Sequence, residues 1–278
     1  MAAAMLDLLS GFLDLKGVLL IALIFVPLER LLPRRREQPL LRRFWTVDTL
    51  YLFLNRIPIG IGIMLLIALS LAAGQTLLPD AFRGAVAAQP VWLQVIELII
   101  VADLVFYAIH RLFHAVPFLW RFHAVHHSIE DLDWLAAHRV HPVDQILTKG
   151  LSLVPCFMLG FSGAAIGMSL LLYKWHALLL HSNVRIDFGP LGWIVASPAF
   201  HHWHHANEPG AWDRNFAGQL PIWDLLFGTA NMPAGRMPAR YGIGETLPGS
   251  YVQQMLYPFR ADRGAVPEAP PTPEQQAA

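Results

Sequence analysis

The stretch HRLFHAVPFLWRFHAVHH, residues His110 to His127, carries five histidines in eighteen positions at the end of a long apolar run. A second block, HHWHH at His201 to His205, repeats its spacing. All thirteen histidines of the 278-residue chain lie between His110 and His205. Neutral imidazole is the commonest metal ligand near physiological pH, so the pattern reads as a metal centre. Helical geometry gives it shape, because residues three and four apart share a face. His110 and His114 are four apart. His123, His126 and His127 stand at i, i+3 and i+4, and His201, His204 and His205 repeat that pattern. His202 points elsewhere. Pro117 is expected to separate the first pair from the next three. Eight imidazoles exceed the four to six ligands of one ion, so two ions sharing the set is the simplest reading.

Around this stretch the chain is 55% hydrophobic and only 14% charged, with a mean hydropathy of +0.44. Soluble domains carry about 25% charged residues. The composition therefore implies an all-α polytopic membrane bundle with a histidine-rich cap. The formal net charge is zero and gives no argument for nucleic acid. Cys156 is the one cysteine, in an apolar run, so neither a disulfide framework nor a cysteine-based metal site is possible.

A membrane span needs about 20 mostly apolar residues. The first is expected from Leu8 to Leu28, with its apolar centre at Gly17 to Pro27. The N-terminus lacks the basic region of a cleaved signal and is expected to be retained. The second span lies within Val47 to Ala73, where Asn55 and Arg56 interrupt the first half and leave Ile57 to Ala73 as its apolar centre. The third, Val91 to Ile109, leads into His110. The run Ile146 to Leu180 is broken at Gly160-Phe161-Ser162-Gly163, which fits two passes or a re-entrant hairpin. Gly163 and Gly167 form a pair suited to close helix packing.

Arginine-rich short loops stay cytoplasmic. Arg30 to Arg43, with six arginines, therefore sets the inside, the Gln75 to Gln89 loop the outside, and the metal site the cytoplasmic face. An even number of crossings must separate the two histidine regions. Three regions follow: 1–90 with the first helices and basic loop, 91–235 as the catalytic domain, and 236–278 ending in a Pro- and Ala-rich tail expected to be disordered.

Several landmarks carry a family resemblance. They are His110-Arg111 with His114; Leu119-Trp120, Phe122-His123 and His126-His127-Ser128; His141-Pro142; His181-Ser182-Asn183; and His201 with His204-His205. In this order, over roughly residues 97 to 230, they resemble the fatty acid hydroxylase/sterol desaturase superfamily. The resemblance implies a non-haem di-iron centre that activates dioxygen and hydroxylates or desaturates a lipid C–H bond. It also favours His181 as a ninth ligand.

The expected ligands are thus His110, His114, His123, His126, His127, His181, His201, His204 and His205, with His176 a further candidate. Asp103, Tyr107, His141 and Asn183 are expected behind them, since ligating histidines usually donate their second N–H to a carboxylate or carbonyl. Asp103 in particular could serve a histidine from another segment, and Asp144 and Asp187 are weaker candidates of the same kind. His138 and His202 are expected to be non-ligands. No dinucleotide fingerprint, cysteine cluster or haem-attachment motif is present, so electrons must come from a separate protein, cytochrome b5-like or ferredoxin-like. Arg34 to Arg43, Arg111, Arg121, Arg139 and Arg214 could dock it, although positive-inside topology alone explains the first set. A haem-b electron-transfer protein and a zinc hydrolase are the alternatives from other classes.

Overall fold

The computed structural model describes residues 15–244 and 247–260. The expected start of the first span and the expected disordered tail from Ala261 lie outside the described residues. The chain is helical, and the only extended pairings among the described residues are isolated bridges, Pro33 to Val184 and Ala206 to Tyr241.

In chain order the helices are α1 (Leu15–Leu31), α2 (Trp45–Leu54), α3 (Arg56–Leu77), α4 (Asp80–Ala87), α5 (Val91–Ala115), α6 (Pro117–His127), α7 (Pro142–Gln145), α8 (Leu151–Leu159), α9 (Gly163–His181), α10 (Pro198–His204), α11 (Ile222–Leu226) and α12 (Tyr251–Leu256). Among the described residues three helices, α3, α5 and α9, are long and apolar enough to cross a membrane. The second span contains the expected apolar centre, Ile57 to Ala73, and runs from Arg56 to Leu77. The polar interruption at Asn55 and Arg56 is a helix break, which leaves α2 outside the span. Asn55 ends α2 there, donating to the Val140 carbonyl at 2.7 Å and accepting from the Tyr251 hydroxyl at 2.7 Å.

A wider π turn, Ile146–Gly150, joins α7 to α8, and α8 packs between α3 and α5. Glycine permits this approach. A Cβ on Gly74 would stand 2.5 Å from the Met158 carbonyl oxygen, so the two backbones touch where no side chain fits. The contact is made here and at Gly150 against Leu66, whereas Gly163 of the expected small-residue pair is exposed. The seam is closed by Leu98, Leu153, Cys156, Phe157, Ala165 and Ile166. Cys156 is a fully buried free thiol and behaves as a small apolar side chain.

The Gly160 turn, left-handed at φ 88, closes α8 and abuts Arg83. That turn and the α3–α5 connection therefore share one end of the bundle. His110 and His114 sit at the far end of α5, His181 at the far end of α9, and His141 at the start of α7. The α8–α9 hairpin returns the chain to the end where the histidines gather.

Candidate metal centre

Local sequence sets each histidine-bearing helix. Helix α5 ends at Ala115, Val116 is extended, and Pro117 takes the first position of α6, where a missing N–H costs nothing. The chain thus folds back and faces His110 with His123. Ser197 caps α10, its hydroxyl accepting from the Phe200 N–H at 3.2 Å, with Pro198 in the first turn. His205 closes that helix.

The nine expected ligands are brought together, all buried, in two groups. One holds His110, His114, His123, His127 and His204; the other holds His126, His181, His201 and His205. Within each group the ligand atoms lie within 4.8 Å of one another. The triads divide differently from a reading in which each helix face serves one point. His126 leaves His123 and His127 for the second group, and His204 leaves His201 and His205 for the first. Helices α6 and α10 each straddle both groups, and the His127 and His205 rings stack across the boundary at 4.6 Å.

The ring orientations follow from the groups behind them. Nδ1 of His110 donates to the Phe216 carbonyl at 2.7 Å, and that of His126 to Arg139 at 3.0 Å. His181 Nδ1 donates to Ala177 at 2.7 Å and His204 Nδ1 to Arg214 at 2.8 Å. A carbonyl only accepts, so Nδ1 holds the proton in these four rings and Nε2 presents a lone pair. His123 Nδ1 lies 2.7 Å from Asp144 Oδ2, and His114 Nδ1 lies 3.2 Å from Asp213.

The lone pairs then point at one another. Nε2 atoms stand 2.9 Å apart in His110–His123, 3.0 Å in His127–His204, 3.2 Å in His126–His181 and 2.9 Å in His181–His201. His114 Nε2 has no hydrogen-bond partner. Protonation is no remedy in this buried site: burial holds His123 down at about 3 and keeps His126, His127, His201, His204 and His205 well below their usual range. Converging neutral imidazoles backed by carbonyls and carboxylates are the arrangement that a cation satisfies, so the donor set fits metal.

The other expected residues serve different ends. Asp103 touches no histidine. It accepts from the backbone N–H groups of Gly218, Gln219 and Leu220 at 2.8–3.0 Å. Asp224 accepts from Phe216 and Ala217, both at 2.8 Å. Together they staple the loop whose Phe216 carbonyl holds His110. Tyr107 reaches this network through Thr229, 3.0 Å away. His141 caps α7 and donates to the Met255 carbonyl. Asn183 is paired with the Arg35 backbone. His176 bonds the Ala196 carbonyl at 2.7 Å and joins neither group. His138 is also outside both. His202 bonds the Tyr241 hydroxyl and the Ser182 carbonyl, as its separate face implies.

Asp144 proves to be the carboxylate behind a histidine, while Asp187 bonds the Gly189 N–H on the surface. Asp213, Asp224 and the four carbonyls were not legible in the sequence, since backbone carbonyls carry no residue signature. The arginine reading also changes. Arg42 and Arg139 are buried and share Asp48, with Asp133 on the other side of Arg42. They lock the basic loop to the cap and are not open to a docking partner.

Residues 95–229 match the fatty acid hydroxylase family. The chain fits the fatty acid hydroxylase/sterol desaturase superfamily. Among its relatives, an ornithine lipid hydroxylase of Rhizobium tropici is 32% identical over 61% of this chain and 51% of its own length. An alkylglycerol monooxygenase of Xenopus tropicalis is 33% identical over 58% of this chain and 39% of its own. A very-long-chain aldehyde decarbonylase of Oryza sativa is 27% identical over 50% and 24%. The chain spans about half or less of the length of these relatives. No solved structure matches it.

Proposed function

We propose that the protein is a membrane-bound non-haem di-iron oxygenase that inserts one oxygen atom of O₂ into a lipid C–H bond. The observation that carries this reading is the pair of buried histidine groups, five and four strong, each with converging ligand atoms. His110, His114, His123, His127 and His204 would hold one ion, and His126, His181, His201 and His205 the other. Iron bound there supplies the chemistry of dioxygen activation, for which the all-imidazole set is suited. The relatives are named for lipid hydroxylation and monooxygenation, which supports iron and oxygen over a hydrolytic zinc site.

The balance of the reaction is C–H plus O₂, two electrons and two protons, giving C–OH and water. The electrons come from a separate donor protein. The chain's own residues orient the ligands, keep water out and set the geometry. Asp144, Asp213 and the carbonyls of Phe216, Arg139, Ala177 and Arg214 fix the tautomers. Trp120 covers the first group, 5.0 Å from His114 and 5.3 Å from His127. The histidine end faces the cytoplasm, beside the basic loop.

The haem-b alternative is disfavoured by geometry, since Nε2 atoms 2.9–3.2 Å apart leave no room for a macrocycle between facing rings. The test is isotopic. Membranes containing the protein and a reducing donor, incubated with ¹⁸O₂, should yield lipid carrying one ¹⁸O atom per hydroxyl gained. Oxygen drawn from water, or lipid unchanged under these conditions, would overturn the proposal.

A further inference from the structure

A cavity of about 290 Å³ opens between α1, the basic loop and α2. Its walls change character along its length. Val18 and Val26 of α1 and Leu52 of α2 form the apolar part, and Glu29, Arg30, Asn183 and Asp133, the last paired with Arg42, the polar end. From Val18 to Glu29 the helix rises about 16 Å, enough for a headgroup and the first part of a chain. Leu19, Leu20, Leu23 and Ile24 are exposed along the same helix, so the groove borders the surface where lipid would lie. Asn183 is two residues from His181.

Glu29 is the group whose role the metal centre leaves unexplained. It is 5% exposed. Its Oε1 accepts both the Trp134 N–H at 2.8 Å and the Asn183 N–H at 3.0 Å, while Oε2 accepts nothing from the described residues. Burial, with the Asp133 carboxylate nearby, pushes Glu29 up to about 7, so a cation placed against its second oxygen would favour the ionised form. Arg30, exposed at the rim, uses one nitrogen on the Gln38 carbonyl at 3.2 Å and leaves its remaining donors open. A carboxylate inside and a guanidinium at the mouth present opposite charges in a fixed order.

We infer that this groove is the headgroup subsite for a zwitterionic lipid, its ammonium on Glu29 and its phosphate or carboxylate on Arg30. The inference rests on the lipid-oxygenase reading, and it names the substrate class that reading leaves open. A neutral or purely anionic head brings no cation to hold Glu29 ionised.

The test measures binding, not turnover. Iron-loaded protein in detergent is titrated with phosphatidylethanolamine, its N-acetylated form and phosphatidylglycerol, with bound lipid read by native mass spectrometry. The ammonium lipid should bind about tenfold or more tightly than the other two. Glu29→Gln keeps the acceptor for Trp134 and Asn183 but removes the charge, so it should erase that preference at unchanged iron content. Equal binding of all three lipids by the wild type, or a preference that survives in Glu29→Gln, overturns the inference. If Glu29→Gln fails to fold, Leu52→Trp fills the groove without touching the carboxylate and should abolish binding of the ammonium lipid with iron retained; unchanged binding overturns the inference. A headgroup preference without ¹⁸O in any lipid would sink the oxygenase reading alone. Incorporation of ¹⁸O with no headgroup preference would sink only this inference.

Discussion

His123 Nδ1 and Asp144 Oδ2 lie 2.7 Å apart, and both side chains are buried. Asp144 is itself steadied by Thr148, whose hydroxyl donates to the Asp144 backbone carbonyl at 2.8 Å. The carboxylate sets the His123 tautomer and raises the basicity of the nitrogen that faces His110 and His127. Asp144→Asn should therefore weaken iron affinity or activity by about 10- to 100-fold. Iron retention against a chelator series, at matched expression, checks this. Wild-type retention would mean that the pairing has no bearing on the metal.

His202 and His204 look equivalent in HHWHH and are not. His204 faces His127 across 3.0 Å, whereas His202 bonds Tyr241 and Ser182. His204→Ala should lose metal and activity. His202→Ala should keep metal yet lose about 1–3 kcal/mol of stability, because it strips a buried hydroxyl and a buried carbonyl of a partner. Thermal unfolding and iron content on the same preparations separate the two effects. Equal metal loss in both variants would refute the assignment of α10.

Asp48 is fully buried between two guanidinium groups, those of Arg42 and Arg139. The Arg139 carbonyl also orients His126. Asp48→Asn would leave two buried cations undercompensated, a loss of about 3–5 kcal/mol by analogy with broken buried pairs. Denaturant titration in detergent should show the shift. A midpoint equal to wild type would show that the network is solvated.

Orientation in the bilayer has its own test. In a Cys156→Ala background, single cysteines at the exposed positions Glu37, Glu130 and Arg236 should all resist an impermeant thiol reagent in intact cells, while one at exposed Gln75 should label. Labelling at position 130 but not 236 would break the argument that α8 and α9 return the chain to its starting face.

The sequence made the helices and the set of converging histidines legible, because a periodicity of 3.6 residues and an imidazole are both written in residue types. The break at Pro117 and the turn at Gly160 could be read for the same reason. The partition into five and four could not, since it depends on how α6 and α10 cross, which rotates neighbours such as His201 and His204 toward different points. Asp103 shows another limit. A carboxylate on the histidine stripe of α5 looked like a partner for a ring, yet it staples the Gly218–Leu220 backbone, a segment more than a hundred residues away. The buried arginines show the same limit from the other direction. A basic loop signals topology, but the partners Asp48 and Asp133 that take Arg42 out of solvent are a matter of tertiary packing.

If each histidine group holds one iron, the protein carries two irons per chain. Elemental analysis of protein purified after expression with ample iron measures this directly. Two iron ions per chain, lost together with oxygen-dependent lipid hydroxylation on chelation, is the predicted result. One ion or none per chain, or two zinc ions with iron absent, would contradict it.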